Sequence, residues 1–362
     1  MKSAGTIAIL AAFVLLATGA AAQVSLTPPG LGPPPASKAP AKPPAAKPPA
    51  KKPPVAPAPA PAPAPEAKPG IPILPNAIAS QMPDDPNVDL VYGAFQRGQY
   101  KTAFDLATKR AQAGDPKAMT MLGELYANAF GVKRDYGKAV EWYKRASNAG
   151  DRAAMFALAM MRLSGRGVAA DRQEAVKLLA SSAKLGEAKA AYNLALLYLD
   201  GQTFPQDLKR SAELLRMAAD AGNPEAQYAL ATFYKEGNGV PKDLEKATRL
   251  LQQAALADNV DAEVEYAIAL FNGTGTSKNE TAAVALLRRA ARQNSPIAQN
   301  RLARVLVTGW GAPVDLVEGL KWHLIAKTAG NGDPQMDDAV ARLSADDRAK
   351  VEEGVRRWFG KK

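Results

Sequence analysis

Cysteine is absent and histidine occurs once. The first absence excludes structural disulfides, thiolate metal sites and a thiol nucleophile, and the second excludes a metal centre built from several imidazoles. Aromatic residues are sparse, at 6% of the chain. They do not alternate with Lys or Arg as a single-strand nucleic-acid surface requires, so nucleic acid is not an expected partner. Charge is modest as well. Of the formal +11, only +7 falls after residue 86, on segments that also carry Asp and Glu, the usual pattern of a solvated face.

Long apolar runs are missing too, apart from Ile7 to Leu16 near the amino end. That run is short against the roughly 20 residues of a membrane-spanning helix. Lys2 precedes it and Ala20-Ala21-Ala22 follows, ahead of Gln23, so residues 1–22 read as a cleaved signal peptide rather than a retained anchor. The expected destination is the periplasm, with the extracellular space second. No cysteine near the cleavage site offers a lipid attachment point, and no later segment approaches a transmembrane helix.

Proline is scarce over most of the chain and concentrated in one part: 22 of 29 prolines lie between residues 23 and 86. Such a Pro-Ala-Lys tract buries too little apolar surface to offset its ordering entropy, and dense proline favours extended polyproline II. The tract reads as a disordered, semi-rigid linker. Lys38, Lys42, Lys47, Lys51, Lys52 and Lys68 suit it to weak contact with peptidoglycan or other envelope polyanions.

What remains is periodic. Ala118, Ala154, Ala190, Ala226, Ala262 and Ala298 recur every 36 residues without a gap. Leu122, Leu158, Leu194, Leu230, Tyr266 and Leu302 follow four residues on, and a column from Tyr126 to Leu306 follows four after that, forming the stripe of a helix A. Ala139, Ala175, Ser211, Ala247, Ala283 and Gly319 begin a second helical stripe. Trp142, Leu178, Leu214, Leu250, Leu286 and Trp322 lie three residues further, and a small-residue column from Ala146 to Ala326 lies seven further, marking a helix B.

The punctuation predicts the same hairpin. Asp135, Asp171, Asp207, Asp243, Asn279 and Asp315 are placed to cap helix B. Gly150, Gly186, Gly222, Asp258, Asn294 and Gly330 tolerate the left-handed turn that ends it. Asp115-Pro116, Asn223-Pro224 and Ser295-Pro296 then restart helix A.

The pattern A-x-x-x-L-G-x-x-Y, then G-x-G-V, D-x-x-x-A-x-x-W-Y-x-x-A and A-G resembles the Sel1-like repeat, a relative of the tetratricopeptide repeat. Residues 116–151 carry it most fully, through Ala118, Leu122, Gly123, Tyr126, Gly131, Val132, Asp135, Ala139, Trp142, Tyr143, Ala146, Ala149 and Gly150. Arg162 in the tyrosine column and Thr203-Phe204-Pro205 in place of glycine-valine are departures. The resemblance implies an all-α, right-handed superhelical solenoid with six repeats over 116–331. Residues 87–115 read as a tetratricopeptide-like cap turning at Gly98, and 332–362 as capping helices opened by Ser344.

The resemblance also implies a non-enzymatic scaffold or adaptor of the bacterial envelope that needs no cofactor or metal and binds a protein or peptide along the inner helix A face. Some envelope members of the family restrain a sensor or assist wall and secretion machinery. Candidate groove positions are Thr120, Phe156, Tyr192, Tyr228, Val264 and Asn300, with Glu124, Met160, Leu196, Thr232, Ile268 and Arg304 one turn on. The rings at 156, 192 and 228 are either a hot-spot strip or packing between repeats.

Apparent catalytic motifs carry less. Ser181-Ser182-Ala183-Lys184 satisfies the S-x-x-K of penicillin-binding proteins, and the alternative reading is a β-lactamase-like or peptidoglycan-binding wall protein. Ser182, however, occupies a packing column, and S-D-N and K-T-G partners are missing. GTGTSK at 273–278 lacks the Gly-Lys-Ser/Thr of a phosphate loop and reads as a turn. His323 stands in the column of Tyr143, Leu179 and Leu215 and reads as a packed side chain. Asp84-Asp85, Asp337-Asp338 and Asp346-Asp347 have no evident catalytic partner across a cleft.

Overall fold

The computed structural model describes residues 89–360, so the expected signal peptide and proline-rich linker lie outside the described residues. A short hairpin, α1 (Leu90–Gln96) and α2 (Tyr100–Gln112), turns at Gly98, whose φ is 71°. Six hairpins follow: α3 (Pro116–Asn128) with α4 (Tyr136–Asn148), α5 (Arg152–Ser164) with α6 (Arg172–Lys184), and α7 (Ala188–Asp200) with α8 (Leu208–Asp220). The series continues with α9 (Pro224–Glu236) and α10 (Leu244–Leu256), α11 (Val260–Asn272) and α12 (Glu280–Arg292), and α13 (Pro296–Thr308) and α14 (Leu316–Thr328). It ends in α15 (Pro334–Ala341) and α16 (Ala345–Gly360). Each helix packs mainly on its neighbours in the chain, and α16 returns onto α14, which is the one-dimensional logic of a solenoid.

Local chemistry places the boundaries. All six B helices have the expected Asp or Asn accepting a first-turn amide, from Asp135 with Lys138 N to Asp315 with Glu318 N. The residues that close them have positive φ in every hairpin, including Asp258 at 61° and Asn294 at 67°. At the carboxyl end Ser344 accepts from Asp347 N at 3.1 Å and opens α16. Trp358 of that helix then meets Trp322 edge-on at 5.0 Å, covering the last B helix.

The A and B helices approach through small residues. The Ala118 column is 0 to 2% exposed throughout, and the Ala146 column is fully buried. The closest crossing uses a column that the periodicity did not single out: Gly123, Ala159, Ala195, Ala231, Ala267 and Ala303, all buried. Ser211 Oγ donates to Ala195 O at 2.9 Å across this crossing. A Cβ on Gly319 would lie 3.1 Å from Ala303 O. In the first hairpin Tyr143 fills the space where later hairpins mostly have leucine, and a Cβ on Gly123 would lie 2.5 Å from its ring. The small column and the large one are therefore matched in volume.

Two expectations about the core are refined. The most deeply buried stripe of large side chains on helix B is Tyr143, Leu179, Leu215, Leu251, Leu287 and His323, at 0 to 6% exposure. In the neighbouring column Leu214 and Trp322 are buried, while Trp142, Leu178, Leu250 and Leu286 are only half-buried. On helix A, Leu125, Met161, Leu197, Phe233, Ala269 and Val305 are buried as well. A helix clasped between two others buries more than one stripe.

Successive hairpins meet at the second glycine of the A–B loop. Gly131, Gly167, Gly239, Gly275 and Gly311 have φ from 64 to 74°. A Cβ there would fall 2.1 to 2.8 Å from the first residue of a B helix (α2 at the amino end) in the hairpin before it. Thr203 stands in place of this glycine in the third hairpin. Its Oγ1 is buried without a hydrogen bond, and Phe204 stacks instead on Tyr198 at 5.0 Å. The same hairpin has the one A helix, α7, whose N-cap residue, Glu187, makes no capping bond.

A buried ion pair marks another substitution in the pattern. Gln227 and Gln299, at equivalent places, donate to Ala219 O at 3.2 Å and Ala291 O at 3.1 Å. Glu263 stands at the same place and has nothing to donate. Arg289 fills the gap by bonding to Ala255 O and pairing with the fully buried Glu263 carboxylate at 2.7 Å. Arg289→Met should lower unfolding stability by about 2–3 kcal/mol, less than a fully buried pair because the guanidinium is 39% exposed. Glu263→Gln should stay within about 1 kcal/mol of the parent because it restores the glutamine bond. Urea unfolding of the two variants and their double mutant checks both.

Candidate functional site

The A helices lie side by side and share one face, as side chains joining successive hairpins show. Thr120 Oγ1 donates to Asp151 Oδ1 at 2.9 Å, and Lys235 pairs with Glu265 at 2.8 Å. Asn300 Nδ2 reaches Asn331 O at 2.9 Å, and Arg304 pairs with Asp333 at 2.8 Å. These bonds fix the spacing of the A helices and leave a ribbon of side chains between them.

The candidate groove residues divide by depth. Phe156, Tyr192 and Tyr228 are half-buried: each ring packs against the central core cluster and keeps part of its surface in solvent. Val264, Leu196 and Asn300 are buried, so they shape the floor and offer little surface. Thr120, Glu124, Met160, Thr232 and Ile268 are half-buried, and Arg304 is exposed. The strip thus joins core and surface, with aromatic faces in the middle hairpins and polar groups at both ends.

Carboxylates border the tyrosines. Burial, with Glu265 and Asp261 nearby, pushes the Tyr228 phenol well above its usual range. Burial and Glu225 push Tyr192 in the same direction. Behind the amino-terminal end, burial and Glu124 raise Tyr143. Glu124 itself is raised by burial, an effect opposed by Lys189 of the third hairpin. At the other end burial lowers the Arg301 guanidinium, with Glu265 acting against it.

The other motifs have structural work. Ser182 is fully buried and donates to Arg152 O at 2.7 Å, while Ser181 and Lys184 are exposed and share no hydrogen bond. Gly273 and Gly275 have φ of 71 and 68° and form a turn. His323 is buried with Nε2 2.8 Å from Asp337 Oδ1, which also takes Lys327 at 2.8 Å. Among the described residues no group of three His, Cys, Asp or Glu side chains could hold a metal ion. No helix among them is long and apolar enough to cross a membrane.

The Sel1 repeat model matches six consecutive segments, 116–151, 152–187, 188–223, 224–259, 260–295 and 296–331. The chain is a Sel1 repeat protein. A Sel1 repeat protein from Oxalobacter formigenes is similar, with 27% identity over 66% of this chain and 98% of that one, at a TM-score of 0.60. So is the fold of c5321, a protective antigen of uropathogenic Escherichia coli with an SLR fold, with 24% identity, 72% and 64% coverage, and a TM-score of 0.50. No curated protein matches. Sel1 repeat proteins are in general non-catalytic scaffolds that bind protein partners.

The tyrosines also give the fold an alkaline limit. Tyr143 and Tyr228 have raised pKa values in the folded state, so their contribution is intact below the unfolded phenol value, about 10, and is lost as pH rises above it. Stability should fall between about pH 10 and 12. Tyr228→Phe should make that fall shallower, as read from urea midpoints across the pH series.

Proposed function

We propose that this Sel1 repeat protein is an exported, non-enzymatic adaptor of the bacterial cell envelope. Its A-helix face holds a segment of a protein partner and so brings that partner to an envelope signalling or cell-wall process. The observation that supports this reading is the half-buried strip of Phe156, Tyr192 and Tyr228 at one repeat position in three successive hairpins. Rigid aromatic surface presented at regular intervals is what a preformed binding groove requires. The proline-rich tract over residues 23–86 gives the solenoid reach, and its lysines make weak contact with peptidoglycan or another envelope polyanion. A β-lactamase-like reading finds no support, because Ser181 and Lys184, the two ends of the S-x-x-K, are exposed and share no hydrogen bond.

In-cell crosslinking from the native envelope tests the proposal. The chain without residues 1–22 is compared with its Phe156→Ala/Tyr192→Ala/Tyr228→Ala variant, shown to be helical by circular dichroism. A protein captured by the first should fall about tenfold or more with the folded variant. Equal capture by both would remove the strip from the binding surface.

A further inference from the structure

At the amino-terminal end of the A-helix face, α1, α2, α3 and α5 enclose a cleft of about 370 Å³. Val91, Met121, Ala118 and Ala153 give it apolar walls. Five carboxylates and three cations line it, and most of them are spent on one another. Arg110 lies between Asp89 at 3.3 Å and Asp115 at 2.7 Å. Arg152 pairs with Glu187 at 3.8 Å and donates to Leu185 O at 3.0 Å. Asp151 caps α5 through Ala154 N at 2.7 Å and also takes the Thr120 hydroxyl.

Two charges are left over. Lys117 is exposed and has no ion pair among the described residues. Glu124 is half-buried in the cleft, and its carboxylate makes neither an ion pair nor a hydrogen bond among the described residues. Burial disfavours the charge that Glu124 carries, and the cleft as a whole retains an excess of negative charge. A cation entering from outside would meet an unpaired carboxylate, with the exposed Tyr92 ring and a floor of buried Met121 and Val91 beneath its aliphatic stem.

We infer that this cleft receives an arginine or lysine side chain from the partner segment, its cation paired with Glu124 and its stem laid against Met121 and Val91. The inference rests on the A-helix face being the binding surface, and it gives the bound segment a basic residue at its amino-terminal-hairpin end.

Methyl NMR on ε-13C-methionine protein tests it with two probes, the blocked pentapeptides Ala-Ala-Arg-Ala-Ala and Ala-Ala-Glu-Ala-Ala. The arginine peptide should shift the Met121 methyl saturably, the glutamate peptide should not, and Met217, exposed on α8, should stay still. Glu124→Gln should weaken binding about fivefold or more, while Glu213→Gln on α8 should leave it unchanged. Lys117→Gln should tighten it. An unmoved Met121, equal binding by the parent and Glu124→Gln, or preference for the glutamate peptide would overturn the inference. A response at Met160 alone would overturn it while leaving the groove reading intact. A response at Met121 together with undiminished capture by the triple alanine variant would support the cleft and remove the aromatic strip.

Discussion

The close crossing of A and B helices on small side chains governs the rest of the structure. Ser211 reaches Ala195 O at 2.9 Å, and there is no room for a Cβ on Gly123 beside Tyr143 or on Gly319 beside Ala303 and Val307. Helices this close exclude water along the whole crossing, so the large residues of the hairpin must point elsewhere. Those on helix B, from Tyr143 to Leu287, fill the core. Those on helix A fill the space between hairpins or emerge as the strip at 156, 192 and 228. The half-buried strip is thus a by-product of the crossing: once the core positions are filled, the next residues around helix A are only partly covered.

Regular stacking has a further requirement at the loops. Five glycines let the A–B loop of one hairpin lie against the hairpin before it, and in the third hairpin Thr203 takes that place without a positive φ. The apolar core runs unbroken past this hairpin from Ala159 to Ala262. Core contacts are therefore continuous where the loop glycine and the side-chain cap are both missing. A solenoid held mainly by nearest-neighbour contacts responds to such a defect locally.

Most of the architecture was legible because it is written in period and punctuation. A gapless alanine column gives the repeat length, and an Asp or Asn before each B helix gives its start. Less visible was which of two adjacent columns is deeper. Trp142 and Tyr143 are both large, and only the crossing geometry sends Tyr143 inward and leaves Trp142 half-buried. The Gly123 column was inconspicuous because alanine is common and carries no sign of what it touches. The cleft could not be read at all. Its lining runs from Asp89 to Glu187 on separate helices, and nothing in the sequence distinguishes unpaired Glu124 from paired Asp115. Glu263 is similar: in sequence it looks like an ordinary first-turn acid, and its partner Arg289 becomes apparent only through packing.

Amide hydrogen exchange across residues 89–360 reads the stability of each hairpin separately and so shows whether local joints set it. Strong protection is expected in the B helices of the regular hairpins, with a minimum at α7 and its following loop, where Thr203 replaces the loop glycine and the N-cap bond is missing. Uniform protection through residues 188–207, or a minimum at a hairpin whose loop glycine is intact, would contradict this.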